Sequence, residues 1–187
     1  LRTFIIENLF VKKILLFLLL LNWNCSQNQE NSEIVYFDLK GLITKQIQVL
    51  NQNQPHLKKL WQIGSKKETK EFKKTDWSRE LEVFVEADIN KSGLKNSYEI
   101  LKNKNTEKFT LKKGESAPIK YILITKDQKG NPVRIELESS MNNYLFDSKS
   151  TLVLKFEGEN LKYYSAEGYQ KLFFGKADTT KIEGIIL

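Results

Sequence analysis

The sequence predicts an α+β fold: two helices and a β-hairpin followed by a twisted antiparallel β-meander sheet. Three observations carry this. Apolar residues recur at helical spacing from Asp38 to Asn51 and again from Trp77 to Ile89, and the stretch between them alternates like a strand pair. From Tyr98 onward the pattern is period two, broken by turns too short to hold a parallel crossover helix.

The chain opens on a different kind of segment. Ile14-Leu15-Leu16-Phe17-Leu18-Leu19-Leu20-Leu21 is an apolar octet, preceded by Lys12-Lys13 and followed by Asn22-Trp23-Asn24-Cys25. At about 1.5 Å per residue it falls far short of a hydrocarbon core of about 30 Å, and so reads as the h-region of an export signal. A basic n-region, a short h-region and a cysteine at the cleavage point resemble a bacterial lipoprotein signal peptide, with residues 1–24 as leader and Cys25 as the lipidated residue. Asn22, Trp23 and Asn24 depart from the strict lipobox, which takes Leu and then small residues. With Ser26 following, the relaxed form resembles that of Bacteroidota lipoproteins. The alternatives are a non-lipidated signal peptide or a buried core cysteine, and the latter fits poorly between an export signal and a polar stretch. Arg2 to Phe10 match no part of a signal peptide, whereas Val11-Lys12-Lys13 makes a natural start, so residues 1–10 read as over-called.

Removing the leader takes Arg2, Glu7, Lys12 and Lys13 with it and lowers the formal charge from +7 to +5. Residues 25–33 form the lipidated cysteine and a polar tether, and residues 34–187 a single α+β domain, burying roughly 70% of its unfolded surface. One cysteine and one histidine leave no internal disulfide and no His-rich zinc site.

Within the domain, Leu39, Ile43, Ile47 and Leu50 share one helix face, and Pro55 stops the helix. Leu57 to Ile63 alternates as a strand, Gly64-Ser65 supplies a two-residue turn, and Lys66 to Phe72, charged on both faces, reads as an exposed edge. Thr75 or Asp76 caps a second helix that buries Trp77, Leu81, Phe84, Val85 and Ile89. Five acids against Arg79 give this segment a local charge of −4, a complement to the lysines of the hairpin. Nine short period-two segments follow: 98–101, 109–111, 119–125, 133–137, 144–146, 152–156, 161–164, 169–174 and 182–186.

Site candidates are few. Asp88-x-Asn90-x-Ser92-Gly93 with Glu99 at position twelve satisfies the EF-hand loop pattern, whose alternating oxygens and central glycine wrap calcium. Lys95 at position eight departs from it, and the competing reading is a helix terminus with local turn bonds, so no metal ligand is assigned. His56 lacks catalytic company, no nucleophile elbow occurs, and Gly175-Lys176-Ala177-Asp178-Thr179-Thr180 lacks the spacing of a phosphate loop, so no catalytic residue is assigned. Tyr163, Tyr164, Tyr169, Phe173 and Phe174 suit either an aromatic groove or sheet core. Lysines 58, 59, 66, 67, 70, 73 and 74, interrupted by Glu68 and Glu71, read as a solvated hairpin with no nucleic-acid role. Attraction to anionic lipid head groups is their functional alternative.

Tyr36-Phe37-Asp38-Leu39-Lys40-Gly41, Asp76-Trp77 with Glu80-Leu81, Ala87-Asp88-Ile89-Asn90-Lys91 and Ser97-Tyr98 together resemble a group of uncharacterised Bacteroidota outer-membrane lipoproteins. The resemblance implies export, a covalent lipid at Cys25 with palmitate among its chains, and an outer-membrane location facing the periplasm. It brings no cofactor and no activity. The function expected is a non-enzymatic binding or scaffold module that meets an envelope protein. The alternative is a carrier of lipid or another hydrophobic ligand, since a curved sheet with helices against it resembles the lipoprotein-carrier fold. A glycan hydrolase, which needs paired carboxylates across a cleft, and a calcium-binding protein stand behind these.

Overall fold

The computed structural model describes residues 34–187. In chain order these form α1 (Leu39–Asn53), β1 (Leu57–Ile63), β2 (Lys66–Phe72), α2 (Trp77–Glu80), α3 (Glu82–Glu86), a 3-10 turn (Ser92–Leu94), β3 (Tyr98–Lys102), β4 (Thr106–Leu111), β5 (Ile119–Lys126), β6 (Pro132–Asn142), β7 (Phe146–Glu157), β8 (Asn160–Leu172) and β9 (Asp178–Ile186). Among the described residues nine strands make one antiparallel sheet in the order β2-β1-β9-β8-β7-β6-β5-β4-β3. The α+β class and the meander read from the sequence are both present. Pairing of the early hairpin with the last strand is not visible in any local pattern: Leu57 lies opposite Ile186, Lys59 opposite Gly184, and Trp61 opposite Ile182.

Local chemistry sets the element ends. The Asp38 carboxylate accepts the Gly41 N–H at 2.7 Å and opens α1, and Gln54, left-handed at φ 43, closes it by donating its N–H to the Leu50 carbonyl. Gly64 at φ 55 makes the β1–β2 turn, a conformation open to glycine at little cost. β2 is an edge strand, exposed along almost its whole length and rich in lysine, as expected.

Two sequence expectations need correction. The second helix is not continuous. It breaks at buried Leu81, where the Phe84 N–H bonds back to the Leu81 carbonyl, three residues away, and it ends at Glu86, before Ile89. The break still allows Trp77, Leu81, Phe84 and Ile89 all to be fully buried. The nine short segments expected after Tyr98 are seven strands, because 152–156 belongs to a strand starting at Phe146, and 161–164 and most of 169–174 lie in one strand. Tyr144, Phe173 and Phe174 stand in turns. The fusion escapes a pattern search because the inward positions linking those segments are Ser148, Ser150 and Gly168, not apolar residues.

All the helices lie on one face of the sheet. Beneath them, Phe109, Ile122, Ile124, Ile135, Leu137 and Leu154 are buried to within about 1% exposure, and they meet Leu39, Ile43, Trp77 and Phe84 from the helical layer. Gln46 lies on the buried stripe of α1. Its amide donates to the Glu159 carbonyl at 2.8 Å and accepts the Leu161 N–H at 2.9 Å, which clips the helix to the β7–β8 turn.

Near the other end of α1's layer, the Tyr164 ring occupies the space beside Gly184. A Cβ on residue 184 would lie 2.1 Å from that ring. The Tyr164 hydroxyl donates to Glu80 Oε1 at 2.5 Å, and Lys59 Nζ reaches the same oxygen at 2.6 Å. Through this contact the acidic helical segment and the lysine hairpin complement each other. Burial, followed by the hydrogen bond to Glu80, pushes the Tyr164 phenol far above the ordinary tyrosine range. Gly184→Val should therefore destabilise the domain by about 1–3 kcal/mol, as overpacking does. Gly93→Ala, with open space around it and no positive φ, should leave the thermal midpoint nearly unchanged.

Glu107 is the most buried acid on the inward face, and it accepts from Lys102 at 2.5 Å and Lys126 at 2.7 Å. Burial alone would raise its carboxyl, but the hydrogen bonds and charges of the two lysines outweigh burial and hold it below the ordinary glutamate range. Folding thus favours the ionised form. The stabilisation is complete above the unfolded carboxyl range and is lost as pH falls through the lowered folded value. Glu107→Gln should cost about 1–3 kcal/mol at neutral pH in denaturant titrations, and the gap from wild type should close in acid.

Candidate functional site

The face of the sheet turned away from the helices is built from the outward positions of the same strands. In β6 the run Val133-Arg134-Ile135-Glu136-Leu137-Glu138 sends Ile135 and Leu137 into the core and Arg134, Glu136 and Glu138 out. Arg134 Nη2 lies 2.6 Å from Glu136 Oε2, and the Tyr121 hydroxyl donates to Glu136 Oε1 at 2.8 Å. Across β7, Lys155 stands opposite Arg134 and sets its ammonium 4.6 Å from the centre of the Tyr163 ring. The Tyr163 hydroxyl donates to Glu183 at 2.9 Å, and Lys181 bridges Glu183 and Glu167 at 3.3 and 3.5 Å. Toward the tips, Lys149 pairs with Glu138 at 2.9 Å, and the Tyr169 hydroxyl donates to Asp147 at 3.0 Å.

These contacts fix the protonation pattern of the face. Arg134, followed by Tyr121, holds the Glu136 carboxyl below its usual range. Burial and then Glu136 push Tyr121 up to about 12, and burial with the Glu183 bond raises Tyr163. At neutral pH the phenols donate, the carboxylates accept, and their side chains are held in place by these bonds.

A second feature lies on the helical side. A cleft of about 410 Å³ separates α3 and the 3-10 turn from the inward ends of β5 to β8, with Val83, Leu94, Tyr98, Ile119 and Leu152 among its walls and Glu86, Asp88 and Lys91 also contributing. It adjoins a cavity of about 310 Å³ over Ser148, Ser150, Gly168 and Thr180, where the inward face extends past the helices. That stretch combines small polar residues with Ala166 and Ile182.

The motif at Asp88 has other work in the structure. Asn90 is buried, and its Oδ1 accepts the Val35 and Tyr36 N–H groups at 3.0 and 2.8 Å. Its Nδ2 donates to the Phe37 carbonyl and to Asp88 Oδ1, which also takes the Asn90 N–H. Glu99 lies in β3, opposite Thr110. Asn90 Oδ1, an oxygen that a cation would use, therefore holds the start of the domain to the end of the helical layer. Among the described residues no group of three or more His, Cys, Asp and Glu is placed to hold a metal.

The other sequence candidates are dispersed. The proposed aromatic groove does not form, because Tyr163 and Tyr169 lie on the outward face, Tyr164 in the core, and Phe173-Phe174 on a hairpin tip. His56 sits in the α1–β1 connection, where its carbonyl accepts the Leu187 N–H. Residues 175–180 are the end of a turn and the start of β9. Cys25, the leader, the alternative start at Val11 and the tether all lie outside the described residues. Tyr121, Arg134 and Glu136 carry no motif. The apolar-in, charged-out alternation of β6 signals Arg134 and Glu136, and no pattern signals Tyr121 in β5.

Among the described residues no helix is long and apolar enough to cross a membrane. Asn90→Ala should lower stability by at least about 2 kcal/mol in thermal melts, since it strands two backbone donors, and Asn90→Asp, which keeps their acceptor but turns a carboxylate oxygen toward Asp88 and the Phe37 carbonyl, should not restore it. No protein-family model, curated protein or solved structure matches the chain.

Proposed function

We propose that the protein is a non-enzymatic binding or scaffold module, lipid-anchored through Cys25 at the outer membrane, which meets an envelope protein through the outward face of its sheet. The observation that carries this reading is the ordered array of Tyr121, Arg134, Glu136, Lys155, Tyr163 and Glu183 on a face that the helices leave open. Tyrosine and arginine are the residues that dominate protein interfaces. Holding them in cross-strand contacts beforehand lowers the ordering cost of association. The same face is polar enough to remain wet when no partner is bound.

A photoreactive side chain at Thr151, outward between Glu138 and Glu167, should capture one discrete envelope protein in cells, and Arg134→Ala with Tyr163→Ala should abolish that adduct. A lack of any adduct would refute the outward face as the interface. For the anchor, labelled palmitate should enter the wild type and not Cys25→Ser. Label on the variant, or none on wild type, refutes lipidation.

The cleft favours a second reading, a carrier of a hydrophobic ligand. Its walls are partly apolar, but the inward face beyond it presents Ser148, Ser150 and Thr180, which suits a short amphipathic molecule better than a long acyl chain. Native mass spectrometry of the protein purified from a periplasm distinguishes the two: a copurifying small-molecule adduct supports the carrier, and a clean mass supports the interface.

A further inference from the structure

Ile63, Thr180, Gly168, Ser150, Ser139 and Ile119 lie side by side across six strands. Four strands go on beyond this row: β6 to Asn142, β7 from Phe146, β8 to Leu172, and β9, for two residues, from Asp178. Four residues at about 3.3 Å each make a tongue that projects roughly 13 Å. Its end is apolar. Tyr144 is 85% exposed, Phe173 70% and Phe174 74%, and Leu145, Leu172 and Met141 beside them are each more than 40% exposed. The two phenylalanine rings stack edge to face with centres 4.5 Å apart. Isolated exposed apolar residues need no explanation, but a cluster at the end of a projection does.

Much of the backbone at this tip is paired internally. Asn143 N–H donates to the Phe146 carbonyl, and the Asn143 side chain accepts the Leu145 and Phe146 N–H groups. Phe173 N–H donates to the Leu145 carbonyl, and Gly175 N–H to that of Leu172. Groups paired in this way can leave water without the several kcal/mol that each unpaired amide would cost. Around the tongue Lys149, which pairs with Glu138, stands with Lys171 and Lys176 against Asp147 and Asp178, and Lys66 and Lys67, following the neighbouring Gly64-Ser65 turn, add positive charge at the same end of the sheet. Aromatic side chains ringed by lysine are the composition of a membrane interface, with tyrosine at head-group level and phenylalanine deeper. A narrow convex end suits a surface that deforms around it.

We propose that the tips of the β6–β7 and β8–β9 hairpins insert Tyr144, Phe173 and Phe174 into the interfacial region of an anionic lipid bilayer. This contact is separate from lipidation and does not rest on it. Cys25→Ser leaves the full chain without cysteine, so a single new cysteine reports on its own position. An environment-sensitive dye at Ala177→Cys should shift to the blue on vesicles of phosphatidylethanolamine and phosphatidylglycerol and be quenched by nitroxide-bearing lipid. The same dye at Lys129→Cys, in the turn at the opposite end of the sheet, should not respond. Because the readout is local, attachment through another segment does not imitate it. Adding Tyr144→Ser, Phe173→Ser and Phe174→Ser should remove the response at position 177 while leaving the circular dichroism spectrum unchanged. An unresponsive dye at 177 overturns the proposal, as does an equal response at 129. A shift without vesicles that grows with protein concentration would assign the tip to a second copy of the chain and also overturns it. An equal shift on phosphatidylcholine alone overturns the anionic preference.

Discussion

The contact of Tyr164 with Gly184 holds together elements that are far apart in the chain. β9 must lack a side chain at residue 184 for the phenol ring to lie across it. The ring's hydroxyl then needs an acceptor, which α2 supplies as Glu80, and a carboxylate in that place needs a cation, which β1 supplies as Lys59. A short helix, the early hairpin and the last two strands are thus bound by one chain of chemical requirements. The first hairpin and the last strand form one edge of a continuous sheet, not two separate pieces.

A second constraint is area. One long helix and two helical turns cannot cover the inward side of nine strands. Where they do, the sheet turns Ile, Leu and Phe toward them. Where they do not, it turns Ser148, Ser150, Gly168 and Thr180 to the solvent, and the strands go on as a tongue held by backbone pairing. The outward side solves its own exposure with cross-strand pairs of opposite charge and tyrosine-to-carboxylate bonds, which is how an antiparallel sheet keeps one face in water.

Asn90 shows how a motif can mislead. Side-chain oxygens spaced two residues apart in a tight loop suit a cation, and they suit backbone N–H groups equally well, because both are electrophiles seeking lone pairs. Which of them arrives depends on what the fold carries to the loop. Here it carries Val35 and Tyr36, more than fifty residues away in sequence, so the EF-hand-like spacing becomes a structural tie.

By itself the sequence determined whatever depends on neighbours along the chain. The cap at Asp38 and the apolar stripe of α1 follow from local hydrogen bonding and helical period, and the Gly64 turn from backbone freedom. The charged edge at β2 follows from its composition, and the succession of antiparallel strands from links too short for anything else. The break at Leu81 and the true lengths of β7 and β8 were hidden because packing overrode propensity in the first case, and small polar residues erased the alternation in the second. The pairing of β1 with β9, the niche at Gly184, the gathering of Tyr121, Arg134 and Tyr163 on one face, and the meeting of Tyr144 with Phe173 and Phe174 on one tongue were decided only by tertiary structure. Each depends on strand register between distant segments. Register is set by which faces bury one another, and no local spacing encodes it.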